Sequence, residues 1–292
     1  MKIIDLLTQE KLSLSFEVFP PKTEMSFESV KIATEEIAKL HPAFMSVTYG
    51  AGGGTSKYTL DIAKNIKELY VVPTLAHLTC VSSSREMVQQ KIEEIKAAGI
   101  QNVMALRGDI PAGMEDADRS HWDYQYAIDL ICELKASNAD FCIGGACYPE
   151  VHPESVHQKD DIKRLKEKVD AGCDFLTTQM FFDNNLFYNF LYKIREAGIT
   201  VPVIPGIMPI TNANQIERAL KLSGSFMPQR FKSIADKFGS DPAAMKQAGI
   251  AYATDQIIDL YANDIYNVHV YSMNKPEVAE KIQNNLSDIL GK

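Results

Sequence analysis

The sequence predicts an α/β fold, a single (β/α)8 barrel of the TIM type spanning residues 1–292 as one domain, with extra helices near the C-terminus. Two observations carry this. Eight short apolar runs are each followed by a segment of helical periodicity, the alternation that builds parallel sheets covered by helices. The polar residues that interrupt or end these runs, Glu17, Thr48, His77, Asp109, Tyr148 and Gln179, fall at the downstream ends. In a barrel those ends share one rim, where active sites are built from residues distant in sequence. An open, doubly wound sheet is the competing arrangement, and the count of strand–helix units favours closure.

In chain order, the strand segments are Leu14–Phe19, Phe44–Tyr49, Pro73–Leu78, Asn102–Leu106, Phe141–Tyr148, Phe175–Phe181, Val201–Ile207 and Val268–Tyr271. Most are continuously apolar, as parallel strands buried on both faces require. Between the third and fourth, Ser84–Ala98 has helical spacing, with Met87, Ile92 and Ile95 as its buried stripe and Gly99 as a C-terminal cap. The pairs Ala171-Gly172 and Ala197-Gly198 repeat that ending. After the seventh strand segment, Thr211–Leu222, Pro228–Phe238 and Asp241–Tyr261 read as successive helical segments, more than one barrel unit needs. Such additions decorate the rim or base of a barrel.

Composition narrows the function classes. A formal net charge of −8 disfavours non-specific nucleic-acid binding, which needs a basic surface. The N-terminus lacks the apolar core of a signal peptide and no stretch reaches the roughly 18 apolar residues of a membrane span, so a cytoplasmic protein without membrane contact is expected. The cysteines, Cys80, Cys132, Cys142, Cys147 and Cys173, contain no C-x-x-C pair; buried free thiols are expected, and no metal site.

Several local patterns could carry chemistry. Glu17 alternates with Phe16 and Val18, which turns its carboxyl toward the barrel interior. Burial there would raise its pKa and suit it to general acid catalysis, unless an interior Lys or Arg pairs with it. The loop Tyr49-Gly50-Ala51-Gly52-Gly53-Gly54-Thr55 allows close approach to a ligand, but it departs from a dinucleotide fingerprint: Thr55 stands at the third glycine, and the next strand ends in His77-Leu78-Thr79 without an acid. Arg107-Gly108-Asp109 ends a strand. Arg107 could meet a phosphate or a flavin oxygen and Asp109 an aminopyrimidine edge, or the two could form an internal salt bridge. Pro149 and Pro153 stiffen the loop presenting Tyr148 and His152. His152 and His157 are spaced wrongly for a helical metal pair. Gln179 offers an uncharged donor and acceptor at a strand end, and Tyr271-Ser272-Met273-Asn274 closes the last strand. Hydrolase, Walker and kinase signatures are absent.

Taken together, Phe16-Glu17-Val18-Phe19-Pro20-Pro21-Lys22, Ser46-Val47-Thr48-Tyr49-Gly50-Ala51-Gly52, Ala76-His77-Leu78-Thr79-Cys80, Leu106-Arg107-Gly108-Asp109, Tyr148-Pro149-Glu150-Val151-His152-Pro153-Glu154, Thr178-Gln179-Met180-Phe181-Phe182-Asp183 and Pro205-Gly206-Ile207-Met208-Pro209 closely resemble the bacterial methylenetetrahydrofolate reductases. The resemblance runs in order over nearly the whole chain.

It implies a flavoprotein barrel in which NAD(P)H reduces bound FAD, and the flavin then reduces 5,10-methylenetetrahydrofolate to 5-methyltetrahydrofolate for methionine synthesis. NADH is the donor favoured by resemblance to bacterial members. Position by position, Glu17 matches the general acid that protonates folate N10 and opens the five-membered ring to an iminium. Asp109 matches the acid between flavin and pterin, and Gln179 the residue that bonds folate and nicotinamide in turn. Thr48, Tyr49, Ala51, His77, Arg107, Gly108, Asp109, Ala127, Tyr148, His152, Asp161 and Lys168 fall at FAD-contact positions. Gln215 and Lys275 fall on the substrate side. The chain departs from the pattern at Arg164 and Glu167, where relatives often carry Asn and a basic residue, and at Lys275, where Arg is common. A homo-oligomer is expected, and no inhibition by S-adenosylmethionine, because the chain ends with its barrel. Competing readings are another flavin barrel, such as a proline dehydrogenase-like oxidase, and a flavin-binding accessory subunit without turnover.

Overall fold

The computed structural model describes residues 1–21, 23–49, 56–110, 113–114 and 118–291. Its strands are β1 (Ser13–Val18), β2 (Met45–Val47), β3 (Thr74–Thr79), β4 (Asn102–Leu106), β5 (Cys142–Cys147), β6 (Phe175–Thr178), β7 (Val203–Ile204), β8 (Gly206–Ile207) and β9 (Asn267–Tyr271). All described pairings are parallel, in the order β7-β6-β5-β4-β3-β2-β1-β9-β8. The helices are α1 (Ile3–Leu7), α2 (Phe27–Ala38), α3 (Ser56–Tyr70), α4 (Arg85–Ala97), α5 (Ala127–Ala136), α6 (Gln158–Asp170), α7 (Asn184–Glu196), α8 (Ile216–Ser223), α9 (Gln229–Phe238), α10 (Pro242–Ala262), α11 (Pro276–Asn285) and α12 (Ser287–Leu290). This is the (β/α)8 barrel the sequence predicts, with one correction to the strand count.

The correction is in the seventh strand segment. Val201–Ile207 is not one strand: β7 pairs with β6, β8 pairs with β9, and Pro205 separates them. Proline has no N–H to offer a ladder, so the chain turns there from one neighbour to the other. The Pro205 carbonyl still accepts the His269 N–H at 3.0 Å, and the Gly206 N–H donates to Thr178 Oγ1 at 2.9 Å. The cylinder therefore closes through a covalent link in the chain instead of an uninterrupted ladder.

Side chains inside the cylinder divide into two zones. At the upstream end Phe44, Leu75, Met104, Cys142, Phe175 and Ile204 pack with Ile3 and Leu7 of α1, which stoppers that mouth. Asn102 ties the stopper down, its Oδ1 accepting the Ile3 N–H at 2.8 Å and its Nδ2 donating to the Thr74 carbonyl at 3.1 Å. Toward the downstream end the interior positions become polar, with Ser15, Ser46, His77, Thr177 and His269 all buried. The larger apolar core lies outside the sheet, where Phe16, Val18, Val47, Val103 and Leu176 meet helix residues such as Ile66, Ile92 and Ile131.

Helix α4 shows how local chemistry adjusts the predicted stripe. Ser84 Oγ caps the helix by accepting the Met87 N–H at 3.3 Å, and Met87 is 60% exposed. Val88, with Ile92 and Ile95, takes the buried place expected of Met87. The glycine endings hold: Gly99, Gly172 and Gly198 have φ of 64°, 114° and 77°. The added helices α9 and α10 pack at the downstream end, where Phe231 stacks on Phe182 at 5.2 Å and the Tyr252 hydroxyl donates to the Phe182 carbonyl at 2.6 Å. Of the thiols, Cys132 is exposed, contrary to expectation, and the other four are buried. No helix among the described residues is long and apolar enough to cross a membrane.

The split strand depends on a glycine. Tyr271 reaches across to donate its hydroxyl to the Thr178 carbonyl at 2.5 Å, and a Cβ at Gly206 would strike that hydroxyl and stand 2.5 Å from the same carbonyl oxygen. Gly206→Ala is expected to lose about 1–3 kcal/mol, read as a lower urea midpoint with an unchanged slope.

Candidate functional site

Glu17 is the penultimate residue of β1, in register with Ser46 of β2 and Tyr271 of β9. Its side chain is 23% exposed, opening toward the downstream mouth, and no Lys or Arg among the described residues pairs with it. The basic group in reach is His77 Nε2, 3.6 Å from Glu17 Oε2. Burial pushes the Glu17 pKa from 4.5 up to about 8; the Ser46 hydroxyl, 3.4 Å from Oε2, would oppose this when it donates to the carboxylate. Burial also lowers His77 to about 4, so at neutral pH the imidazole is uncharged and lends the carboxylate no counter-charge. The pair is best described as an acid and a neutral imidazole, not as a salt bridge.

A second imidazole lies beneath them. His269 of β9 sits between Ser15 Oγ, 2.7 Å from Nδ1, and Ser46 Oγ, 2.9 Å from Nε2. Its ring stacks on Phe44, and burial, aided by His77, lowers its pKa to about 3. Ser15, Ser46 and His269 escaped the sequence reading. A signal was present: Ser15 alternates with Glu17, and His269 with Tyr271, so each pair shares the interior face.

Around the rim, β4 leads into Arg107, whose guanidinium grips Glu154 with two bonds of 2.6 and 2.8 Å. The internal salt bridge considered for Arg107 therefore has Glu154 as its partner, not Asp109. Gly108 follows with φ 91°, where a side chain would press on Thr79 and Val81. Asp109 is exposed on the rim, close enough to Tyr148 to raise its pKa, after the larger effect of burial, to about 12. Tyr148 packs edge-on against His152 with centroids 4.6 Å apart. The loop carrying them is pinned by Asp161 of α6, whose Oδ2 accepts the His152 N–H at 3.1 Å. Lys168, two turns further along the same face of α6, donates to the Ala146 carbonyl at 2.6 Å, and burial lowers its pKa.

The other half of the rim is also ordered. Gln179 follows β6, its N–H donating to the Cys147 carbonyl at 2.7 Å and its Oε1 accepting the Met180 N–H at 2.9 Å. Thr48 and Tyr49 follow β2, with the Thr48 carbonyl accepting Thr59 Oγ1–H at 3.0 Å. Lys275, before α11, donates to Thr211 Oγ1 at 2.8 Å and so joins the loops after β9 and β8, the latter leading to Gln215. Ala127 is the first residue of α5; beside it the Arg164 guanidinium lies 4.7 Å from the Tyr126 ring centroid. Ala51 and the glycine loop 50–55 lie outside the described residues. The described candidates, apart from Lys168 in the last turn of α6, thus lie at the downstream end, with Glu17 and Asp109 at the same mouth.

The family model for methylenetetrahydrofolate reductase matches residues 2–287. The chain is 35% identical over 295 residues to methylenetetrahydrofolate reductase (NADH) 1 of Zea mays, a match covering 98% of this chain and 50% of the plant protein. It is 34% identical over 278 residues to the 5,10-methylenetetrahydrofolate reductase of Pectobacterium carotovorum subsp. carotovorum, covering 95% and 91%. The chain thus spans about half the length of the plant relatives and most of the bacterial one. Among solved structures, a Clostridium thermocellum protein that binds two copies of 5-methyl-5,6,7,8-tetrahydrofolic acid superimposes with a TM-score of 0.64 at 15% identity, covering 99% of this chain and 100% of that one, a likeness of fold.

The raised Glu17 pKa makes a thermodynamic prediction. The folded state holds this proton up to about pH 8, whereas an unfolded glutamic acid releases it near 4.5, so the group's effect on stability worsens as pH rises between those values and is constant above them. Glu17→Gln, which does not titrate, should match the parent near pH 4 and exceed it by on the order of 3–5 kcal/mol at pH 8, measured by urea unfolding across the range.

Proposed function

The chain belongs to the methylenetetrahydrofolate reductase family, and from that premise we propose that residues 1–292 act as one catalytic domain reducing 5,10-methylenetetrahydrofolate to 5-methyltetrahydrofolate, with FAD as cofactor and NADH or NADPH as electron donor. The observation that carries the reading is Glu17: a buried carboxyl at the downstream mouth with no Lys or Arg partner among the described residues, a setting that raises its pKa to about 8 and favours the protonated acid at neutral pH. An acid in that state delivers a proton where a carboxylate would only accept one.

The residues present fit a bound flavin. His77 Nε2 and Thr177 Oγ1 are buried on the interior face with no hydrogen-bond partner among the described residues, the condition of groups that await a polar ligand. Gly108 keeps the rim backbone bare. Thr48, Tyr49, Ala51, His77, Arg107, Gly108, Asp109, Ala127, Tyr148, His152, Asp161 and Lys168 would hold it. FAD, when bound, supplies the hydride chemistry that no amino-acid side chain performs.

The protein's own part is proton supply and orientation. Glu17 gives its proton to folate N10, which opens the five-membered ring to the iminium that is then reduced. Asp109, on the same rim, accepts hydrogen bonds from the pterin. Gln179 offers an amide donor and acceptor that suits the pterin edge and the nicotinamide carboxamide in turn, and Gln215 and Lys275 line the substrate side. The two substrates use one site in succession, a ping-pong sequence.

Glu17→Gln should keep bound flavin absorbance and its bleaching by NADH, while folate-dependent reoxidation falls by about 10²–10⁴-fold in stopped-flow half-reactions. Reoxidation at the parent rate would remove Glu17 from the role.

A further inference from the structure

Below Glu17 a set of buried groups can be assigned hydrogens one by one. His269 is neutral and so carries a single N–H. Ser15 Oγ lies 3.1 Å from the Val268 carbonyl oxygen, to which it can only donate, and this uses its one hydrogen. Its 2.7 Å contact with His269 Nδ1 then requires Nδ1 to be the donor. Nε2 is left as a bare acceptor, and Ser46 Oγ at 2.9 Å must donate to it. With that hydrogen committed, the 3.4 Å contact between Ser46 Oγ and Glu17 Oε2 is a hydrogen bond only when Glu17 carries the hydrogen.

We propose that Ser15, His269 and Ser46 form a one-way hydrogen-bond chain that accepts the hydrogen of protonated Glu17 and offers nothing to its carboxylate, making all three positioning residues for the proton Glu17 delivers. The proposal deepens the function given above and rests on it for its catalytic meaning. Each link is buried, where an unmatched polar group is costly, so the direction set at Val268 propagates to Glu17. The titratable groups facing Glu17 do not disturb it. His77, from β3, and His269, from β9, are held neutral by burial. Tyr271, also from β9, keeps its proton and donates it to Thr178. The facing residue of β2 is Ser46 itself.

The opposite direction makes the opposite prediction, so the test is one of sign. If Ser46 donates to the carboxylate, its removal raises the Glu17 midpoint; if it accepts from the acid, removal lowers it. In the purified full-length chain, labelled with ¹³C at glutamate carboxyls, the Glu17 resonance is assigned by its loss in Glu17→Gln and titrated. Ser46→Ala should lower the midpoint by about one pH unit, and Ser46→Thr, which keeps the hydroxyl, should restore it. Ser15→Ala, which frees the His269 tautomer, should lower it too and serves if Ser46→Ala fails to fold. A midpoint that rises or stays in place overturns the chain, whatever the activity. A midpoint that falls in a protein unable to reduce methylenetetrahydrofolate upholds the chain and removes the proposed function instead.

Discussion

A carboxyl group enclosed by protein, with no cation paired to it among the described residues, is the constraint around which this site is organised. Charging it would cost several kcal/mol, so it stays protonated to about pH 8, and its neighbours are groups that tolerate a neutral acid: two uncharged imidazoles, a serine and a tyrosine. An arginine in the place of His77 would have created a stable ion pair and an inert site. The fold bears this burden by concentrating apolar packing elsewhere, in the outer core between sheet and helices and in the stoppered upstream end.

Much of this was legible in the sequence because the underlying signals are local. Continuous apolar runs mark strands buried on both faces, and Ala-Gly endings mark helix stops with a left-handed residue, so both survived contact with the structure. The position of Glu17 was legible for the same reason, through alternation with Phe16 and Val18. The remainder turned on pairings between distant segments. Nothing in Val201–Ile207 taken alone says that its halves bond to different neighbours; that follows from closing a cylinder past a proline. The Arg107–Glu154 grip joins positions brought together only when β4 and β5 lie side by side, and the nearer Asp109 was the natural guess from sequence. His269 looked like one more residue of a short apolar strand until its register with Ser15 was known. Met87 and Val88 were exchanged because a serine cap sets the rotation of α4 more finely than periodicity does.

The rim is built in two ways. Its β4–β6 side is tied by charge and by stiff backbone: Arg107 to Glu154, Asp161 to the His152 amide, Pro149 and Pro153 in between. Its β8–β9 side is tied by neutral and lysine hydrogen bonds, Lys275 to Thr211, Asn274 to the Phe19 backbone and Ser272 to the Glu17 carbonyl, and by the aromatic packing of the added helices. The proposed cofactor positions fall mostly on the first side, whereas the proposed substrate positions divide between the two, Asp109 and Gln179 on the first and Gln215 and Lys275 on the second.

The small helix α1 has a further bearing on how the molecule can work. By filling the upstream opening with Ile3 and Leu7 over a floor of Phe44, Met104 and Phe175, it turns a tube into a cup. A cup has one door. Whatever meets Glu17 must enter and depart past the same lip.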